Sequence, residues 1–202
     1  MNEVSPDVVA LCETKRGVCS RRKKEEITGY EVIEKNTKKG KEGLLIAAKL
    51  GTFHTIEEVT ESELKNILTV RIRYANTVVR IVVLHSPQES DSTEVRTEFY
   101  EELTVQIQRS ITAGDELIVV GDFNARIQPD CQVDSSPNGS LLQQLIDECE
   151  MEVANFNPIT EGLWTRIQKK SNGTECKSTI DYVLIQKDLS DMMQSMIIDE
   201  LK

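Results

Sequence analysis

Hydrophobic positions in this 202-residue chain fall in short runs separated by polar turns. That is the pattern of a mixed α/β protein. Val8-Val9-Ala10-Leu11-Cys12 is an apolar run opened by Pro6-Asp7 and closed by Glu13-Thr14-Lys15, which predicts a buried strand. Gly29 to Ile33 predicts a second strand, Asn36 to Gly40 a polar turn, and Gly43 to Lys49 a third strand. Ile67 to Arg73 alternates apolar and polar residues, and Val78 to Leu84 is a continuous apolar run. These read as strands joined by a hairpin turn at Ala75-Asn76-Thr77. From about Ser92 to Ser110 the period changes: Val95, Phe99, Leu103 and Ile107 recur at four-residue spacing, predicting a helix with these residues inward. Leu117 to Val120 reads as a buried, parallel-type strand. A polar loop is expected over Gln128 to Asn138, then a helix from about Ser140 to Glu150 with Leu141, Leu145, Ile146 and Cys149 inward. Glu152 to Phe156, Leu163 to Arg166 and Thr179 to Ile185 read as strands.

Few helices among many strands predict an α/β (α+β) fold, a four-layer-type sandwich of two mixed β-sheets face to face with helices outside. No repeat, low-complexity segment or linker interrupts the pattern, so residues 1–202 are expected to form a single domain. A hydrophobic content of 39% and a charged content of 29% suit a soluble core-bearing chain. No apolar stretch approaches the ~20 residues of a membrane span, and the first residues lack the features of a signal peptide. The expected location is nuclear or cytoplasmic, not secreted. Cys12, Cys19, Cys131, Cys149 and Cys176 are odd in number and form no C-x-x-C pair, which argues against zinc and against a disulfide framework.

Charge refines this picture. The net charge of −10 argues against a general nucleic-acid coat protein. Residues 1–50 nevertheless carry 11 Lys/Arg against 8 Asp/Glu. Lys15, Arg16, Arg21, Arg22, Lys23 and Lys24 cluster just beyond the first predicted strand, where they can approach a polyanion.

The most informative stretch is Gly121-Asp122-Phe123-Asn124-Ala125-Arg126, at the end of the Leu117–Val120 run. Residues two apart on an extended chain point the same way. The Asp122 carboxylate can orient and deprotonate a water, and the Asn124 carboxamide can donate to a phosphate oxygen. That pairing suits hydrolysis of a phosphate ester. Asp181, inside the apolar run Ile180-Asp181-Tyr182-Val183-Leu184, is a carboxylate that needs a partner.

Set in order, Leu11-Cys12-Glu13-Thr14-Lys15, Leu84-His85-Ser86-Pro87, Gly121-Asp122-Phe123-Asn124 and Ile180-Asp181-Tyr182-Val183-Leu184, with Trp164-Thr165 before the last, resemble the endonuclease/exonuclease/phosphatase superfamily. Its fold is that of AP endonucleases and LINE-type retrotransposon endonucleases. The wording is most similar to the retrotransposon-derived branch, which includes craniofacial-development-protein-like chains. The resemblance implies a DNA endonuclease that uses Mg²⁺, or Mn²⁺ in its place. Glu13 would hold the metal, Asp122 the attacking water and Asn124 the scissile phosphate. Thr165 would lie near the phosphate, with Lys15 and Arg126 as further substrate contacts. Asp181 would orient a catalytic histidine. His85 stands where related chains usually carry a phosphate-contacting Tyr, and it too can donate a hydrogen bond. DNA is the implied partner, with no membrane and no obligate protein partner. A reverse-transcriptase domain would follow in a full-length element.

The chain departs from the family's pattern in two places. The family uses a histidine near its end, within Ser-Asp-His, whereas this chain has only His54 and His85. The family also places a metal-site Asn on a strand well before the Glu, and only twelve residues precede Glu13. The domain therefore reads as lacking its first strand and its Ser-Asp-His segment, and little nuclease activity is expected from these residues alone. An inositol-phosphate or lipid phosphatase of the same superfamily and a non-catalytic remnant of the fold are the alternatives.

Overall fold

The structure, a computed structural model, describes residues 5–15, 26–36, 43–60, 64–127, 136–169 and 173–199. The chain begins with β1 (Val8–Leu11), β2 (Tyr30–Asn36), β3 (Gly43–Lys49), β4 (Thr55–Val59), β5 (Ile67–Tyr74) and β6 (Thr77–His85). There follow α1 (Thr93–Thr112), β7 (Glu116–Asp122), α2 (Pro137–Cys149), β8 (Met151–Val153) and a 3₁₀ turn at Ala154–Phe156. The rest comprises β9 (Thr160–Glu161), β10 (Arg166–Lys169), β11 (Glu175–Ser178), β12 (Asp181–Gln186), α3 (Lys187–Met192) and β13 (Met196–Ile197). This is the expected mixed α/β class, with many strands and few helices. Most of the expected turn at 36–40, positions 128–135 of the expected loop, and the basic cluster beyond Lys15 lie outside the described residues.

Two compact units form, Met1–His85 with Arg109–Gly121, and Ser86–Gln108 with Asp122–Lys202. In the first, β3 lies between β1 and β2, antiparallel to both. β4, β5 and β6 form an antiparallel meander with β7 beside β6. Alternation along the strands decides what they bury. Ile33, Leu44, Ile46 and Ala48 meet Leu68, Val70, Ile72, Ile81 and Val83 in one apolar core. The intervening Leu45 and Ala47 pack with Val32 in a second cluster. β3 is thus buried on both faces, which is why Gly43 to Lys49 reads as an unbroken apolar run. The hairpin turn is two residues, Ala75-Asn76, with Tyr74 opposite Thr77 and Ala75 at φ 51°.

One ion cluster fastens β5 and β6 to the start of β7. Arg71 and Arg80 are direct cross-strand partners, a repulsive pairing of like charges. Both guanidiniums reach Asp115, at 2.8 Å from Arg71 and 2.8 Å from Arg80, and the Asp115 side chain is only 2% exposed.

In the second unit, β12 pairs antiparallel with β8, β10 with β11, and β13 runs parallel to β9. Phe99, Leu103 and Ile107 of α1 are buried as expected, whereas Val95 is 48% exposed. A four-residue step overshoots one helical turn by about 40°, so Val95, three steps from Ile107, has left the stripe. Arg96 and Tyr100 are buried instead. In α2 the buried apolar side chains are Leu142, Leu145, Ile146 and Cys149, the i, i+3, i+4, i+7 spacing of one face. It corrects the expectation for Leu141, which is half-buried in a groove against α1. Burial pushes the Cys149 thiol up to about 11.

The strands expected at 163–166 and 179–185 begin later, at Arg166 and Asp181. Hydrogen bonding explains the delay: the Thr179 hydroxyl donates to Leu163 O, and Ile180 N–H donates to the Thr165 hydroxyl. The expected strand at 152–156 divides into β8 and the 3₁₀ turn.

Replacing Asp115 by Asn leaves the buried Arg80 guanidinium facing the partly exposed Arg71 without a counter-charge. The expected loss is about 3 kcal/mol of unfolding free energy, read as a lowered urea midpoint with an unchanged slope.

Candidate active site

The tip of β7 is shaped by a close approach and by a buried loop. Gly121 has φ 150°, and a Cβ there would collide with the carbonyl oxygen of Leu84. Only glycine suits such a position. In the second unit, Asp122 Oδ1 accepts the Asn124 N–H at 2.8 Å, and Asn124 takes the left-handed conformation at φ 44°. This is an Asx turn, a conformation that Asn tolerates better than most residues. The Asn124 carboxamide donates to Ser86 O at 3.0 Å, and Ser86 N–H donates back to Asp122 O at 2.8 Å.

Phe123, Ala125 and Ile127 are buried, so the polar groups of this stretch need partners inside the protein. Phe123 N–H donates to Ile180 O at 2.8 Å, and Phe123 O accepts from the Tyr100 hydroxyl at 2.9 Å. Asn124 O accepts from the Asn138 carboxamide at 3.1 Å, and Arg126 N–H donates to the Ser136 hydroxyl at 3.1 Å. The Tyr182 hydroxyl lies 2.9 Å from Thr179 O and 3.3 Å from Ala125 O. Burial, first, pushes the Tyr100 phenol above its usual range, so it stays a donor.

Asn138 is the residue that sequence reasoning missed. Fully buried in the first turn of α2, it also donates to Pro87 O at 2.9 Å and accepts from Arg96 at 3.4 Å. The helix starts earlier than expected because Ser136 caps it, accepting Gly139 N–H at 3.1 Å, with Pro137 at the first helical position. Ser-Pro is a legible start signal; the role of Asn138 is not legible, because its partners are distant in sequence.

Thr165 and Asp181 come together. The Thr165 hydroxyl oxygen accepts the N–H groups of Ile180 and Asp181 at 3.0 and 3.2 Å, and Asn155 donates to Asp181 O at 3.0 Å. With the Phe123–Ile180 bond, this links the stretch carrying Asp122 and Asn124 to the segment carrying Asp181. Arg126 pairs with Glu89 at 3.2 Å.

Glu13, Lys15 and His85 belong to the first unit. Glu13 Oε1 lies 3.7 Å from His85 Nε2. Glu13 and Lys15 have positive φ, 54° and 52°, and Thr14 between them donates to Gly43 O at 3.0 Å. Lys15 is exposed. Among the described residues no three His, Cys, Asp or Glu side chains gather as a metal cage. Mg²⁺ does not require one, since it keeps several waters and takes one or two carboxylates plus substrate phosphate. The half-exposed Glu13 carboxylate fits that demand.

Strand β7 thus ends in an Asx turn, with the segment that carries Asp181 bonded alongside through Phe123 N–H. Residues 1–191 match the model of the Endonuclease/Exonuclease/phosphatase family. The chain belongs to this family. Its fold is similar to that of the endonuclease domain of TRAS1, a telomere-specific non-LTR retrotransposon. The TM-score is 0.61 at 19% identity, over 82% of this chain and 70% of that one. It is also similar to NExo, a 3′-5′ exonuclease from Neisseria meningitidis, with a TM-score of 0.68 at 15% identity, over 96% of this chain and 81% of that one. A structure of NExo from Neisseria described as a 3′ phosphatase bound to product DNA hairpin gives 0.67 at 15% identity, over 94% and 79%. No curated protein sequence matches the chain with significance.

Asn138→Ala removes the donor to two part-buried carbonyls. A loss of about 2 kcal/mol is expected, measured by thermal or urea unfolding, with faster amide hydrogen exchange at Asn124 and Arg126.

Proposed function

We propose that this member of the family is a metal-dependent phosphodiester hydrolase acting on DNA as an endonuclease. The observation that supports the reading is the Asx turn after β7, in which the Asp122 carboxylate accepts the Asn124 N–H. The Asp122 carboxylate orients a water and takes its proton as the water attacks phosphorus. One N–H of the Asn124 carboxamide is used by Ser86 O, and the second donates to a phosphate oxygen. Thr165 and Asn155 hold both backbone groups of Asp181, its N–H and its carbonyl. A divalent ion is the expected cofactor, with Glu13 of the first unit as its candidate ligand, and such an ion would supply positive charge to a phosphate ester. Lys15 adds a positive charge for the DNA backbone.

The ordered motifs and the likeness to the TRAS1 domain support a retrotransposon-type endonuclease. A second reading, processing of DNA 3′ ends, is supported by the NExo structures, which overlay more of the chain at higher TM-scores.

Supercoiled plasmid and a 3′-phosphorylated DNA hairpin, each with the full chain and Mg²⁺ or Mn²⁺, separate these readings. Single-turnover conditions, with enzyme in excess over DNA, give the most sensitive comparison. Nicking should require the cation and fall at least about a hundredfold in Asp122→Ala. Nicking that survives Asp122→Ala rejects the proposed site. Phosphate release from the hairpin without nicking selects 3′ processing, and a folded chain inert on both substrates is a non-catalytic member of the fold.

A further inference from the structure

Two potential metal ligands, a carboxylate and an imidazole, approach each other in the first unit. Glu13 Oε1 and His85 Nε2 stand 3.7 Å apart, with side-chain exposures of 49% and 9%. That distance is too long for an N–H···O hydrogen bond. It is close to the separation of about 3 to 3.5 Å that two donors adopt when each lies about 2.1 Å from one ion. A small rotation of the half-exposed Glu13 side chain makes up the difference.

Both residues are anchored by their backbones. His85 N–H donates to Asn66 O at 3.1 Å, and the Asn66 carboxamide returns a bond to His85 O at 3.0 Å. Glu13 is held in the left-handed conformation, φ 54°, by its neighbour Thr14, whose N–H donates to Gly43 O at 3.0 Å. The buried Thr14 hydroxyl packs where a side chain at Gly43 would begin. A non-glycine residue with positive φ persists only where its surroundings impose it. Here they turn the carboxylate-bearing residue towards the histidine.

We propose that Glu13 and His85 form one mixed carboxylate–imidazole site that selects first-row transition-metal ions over Mg²⁺; this rests on the reading of Glu13 as a metal ligand. A lone carboxylate with water suits Mg²⁺, whereas an added imidazole nitrogen favours Mn²⁺ and the ions beyond it.

The test is binding, not turnover. Free Mn²⁺ is followed by EPR during titration of the full-length chain, with Mg²⁺ as competitor, for wild type, His85→Phe and Glu13→Gln. In parallel, Mn²⁺-induced broadening of the histidine ring signals is recorded by NMR on the wild type, His54 serving as internal control. Wild type should bind Mn²⁺ at least about tenfold tighter than Mg²⁺. The His85 ring should broaden well before that of His54. His85→Phe should weaken Mn²⁺ by at least about tenfold while leaving Mg²⁺ binding nearly unchanged. An unchanged Mn²⁺/Mg²⁺ ratio in His85→Phe, or equal broadening of the two rings, with binding still lost in Glu13→Gln, overturns the mixed site and leaves Glu13 as a metal ligand. Mn²⁺ binding absent from wild type, or unaffected by Glu13→Gln, overturns both.

Discussion

A buried stretch of chain with no regular secondary structure must find partners for its peptide groups among side chains, and residues 123–127 meet that demand in the second unit. Tyr100, Asn138, Ser136 and Tyr182 come from α1, the start of α2 and β12, and each contacts a backbone group of this stretch. The arrangement works in both directions. The side chains satisfy the loop, and the loop gives three separate elements a common point of attachment. The conformation of Asn124 follows from it, since the Asx turn at Asp122 and the carbonyl contact from Asn138 grip the same residue from either side. Geometry suited to chemistry is here a by-product of solving a solvation problem.

The first unit relies on different physics. Its strands are held by alternating apolar faces, and the deeply buried acid Asp115 reconciles two arginines that sheet register forces together. Burial of such a cluster contributes little net stability when compared with an apolar replacement, but breaking it is costly. Its effect is to fix which residues of β5, β6 and β7 lie level with one another. Register at the far ends of β6 and β7 follows, and that is where His85 and Gly121 stand.

Much of this was readable in the residues. Continuous apolar runs marked β1, β3 and β6, and the four-residue spacing marked α1, because burial and periodicity are local properties of sequence. The boundaries of β10 and β12 were misread: Thr165 and Thr179 look like good strand residues, yet their hydroxyls bond to chain segments far away in sequence. β4 was missed since Thr55-Ile56-Glu57-Glu58-Val59 carries only two apolar residues, and its strand character comes from pairing with β5. For the candidate site, the motif residues were legible as a set, and the structure groups Asp122, Asn124, Thr165 and Asp181 within one unit and Glu13 with His85 in the other. Asn138, Tyr100 and Asn155, which hold the first of these groups in shape, were invisible because their function is defined entirely by tertiary contacts.

Asn138 has one further consequence, for how the protein can be made. Asn138-Gly139-Ser140 spells the acceptor sequence for N-linked glycan transfer. In the folded chain the nitrogen that would carry the sugar is sealed inside and already engaged with Pro87 and Asn124. Sugar attachment and folding are therefore mutually exclusive at this position. Routed through a eukaryotic secretory pathway, the nascent chain would be divided between the two outcomes, and any molecule modified before α2 docks would be unable to close the loop beneath it.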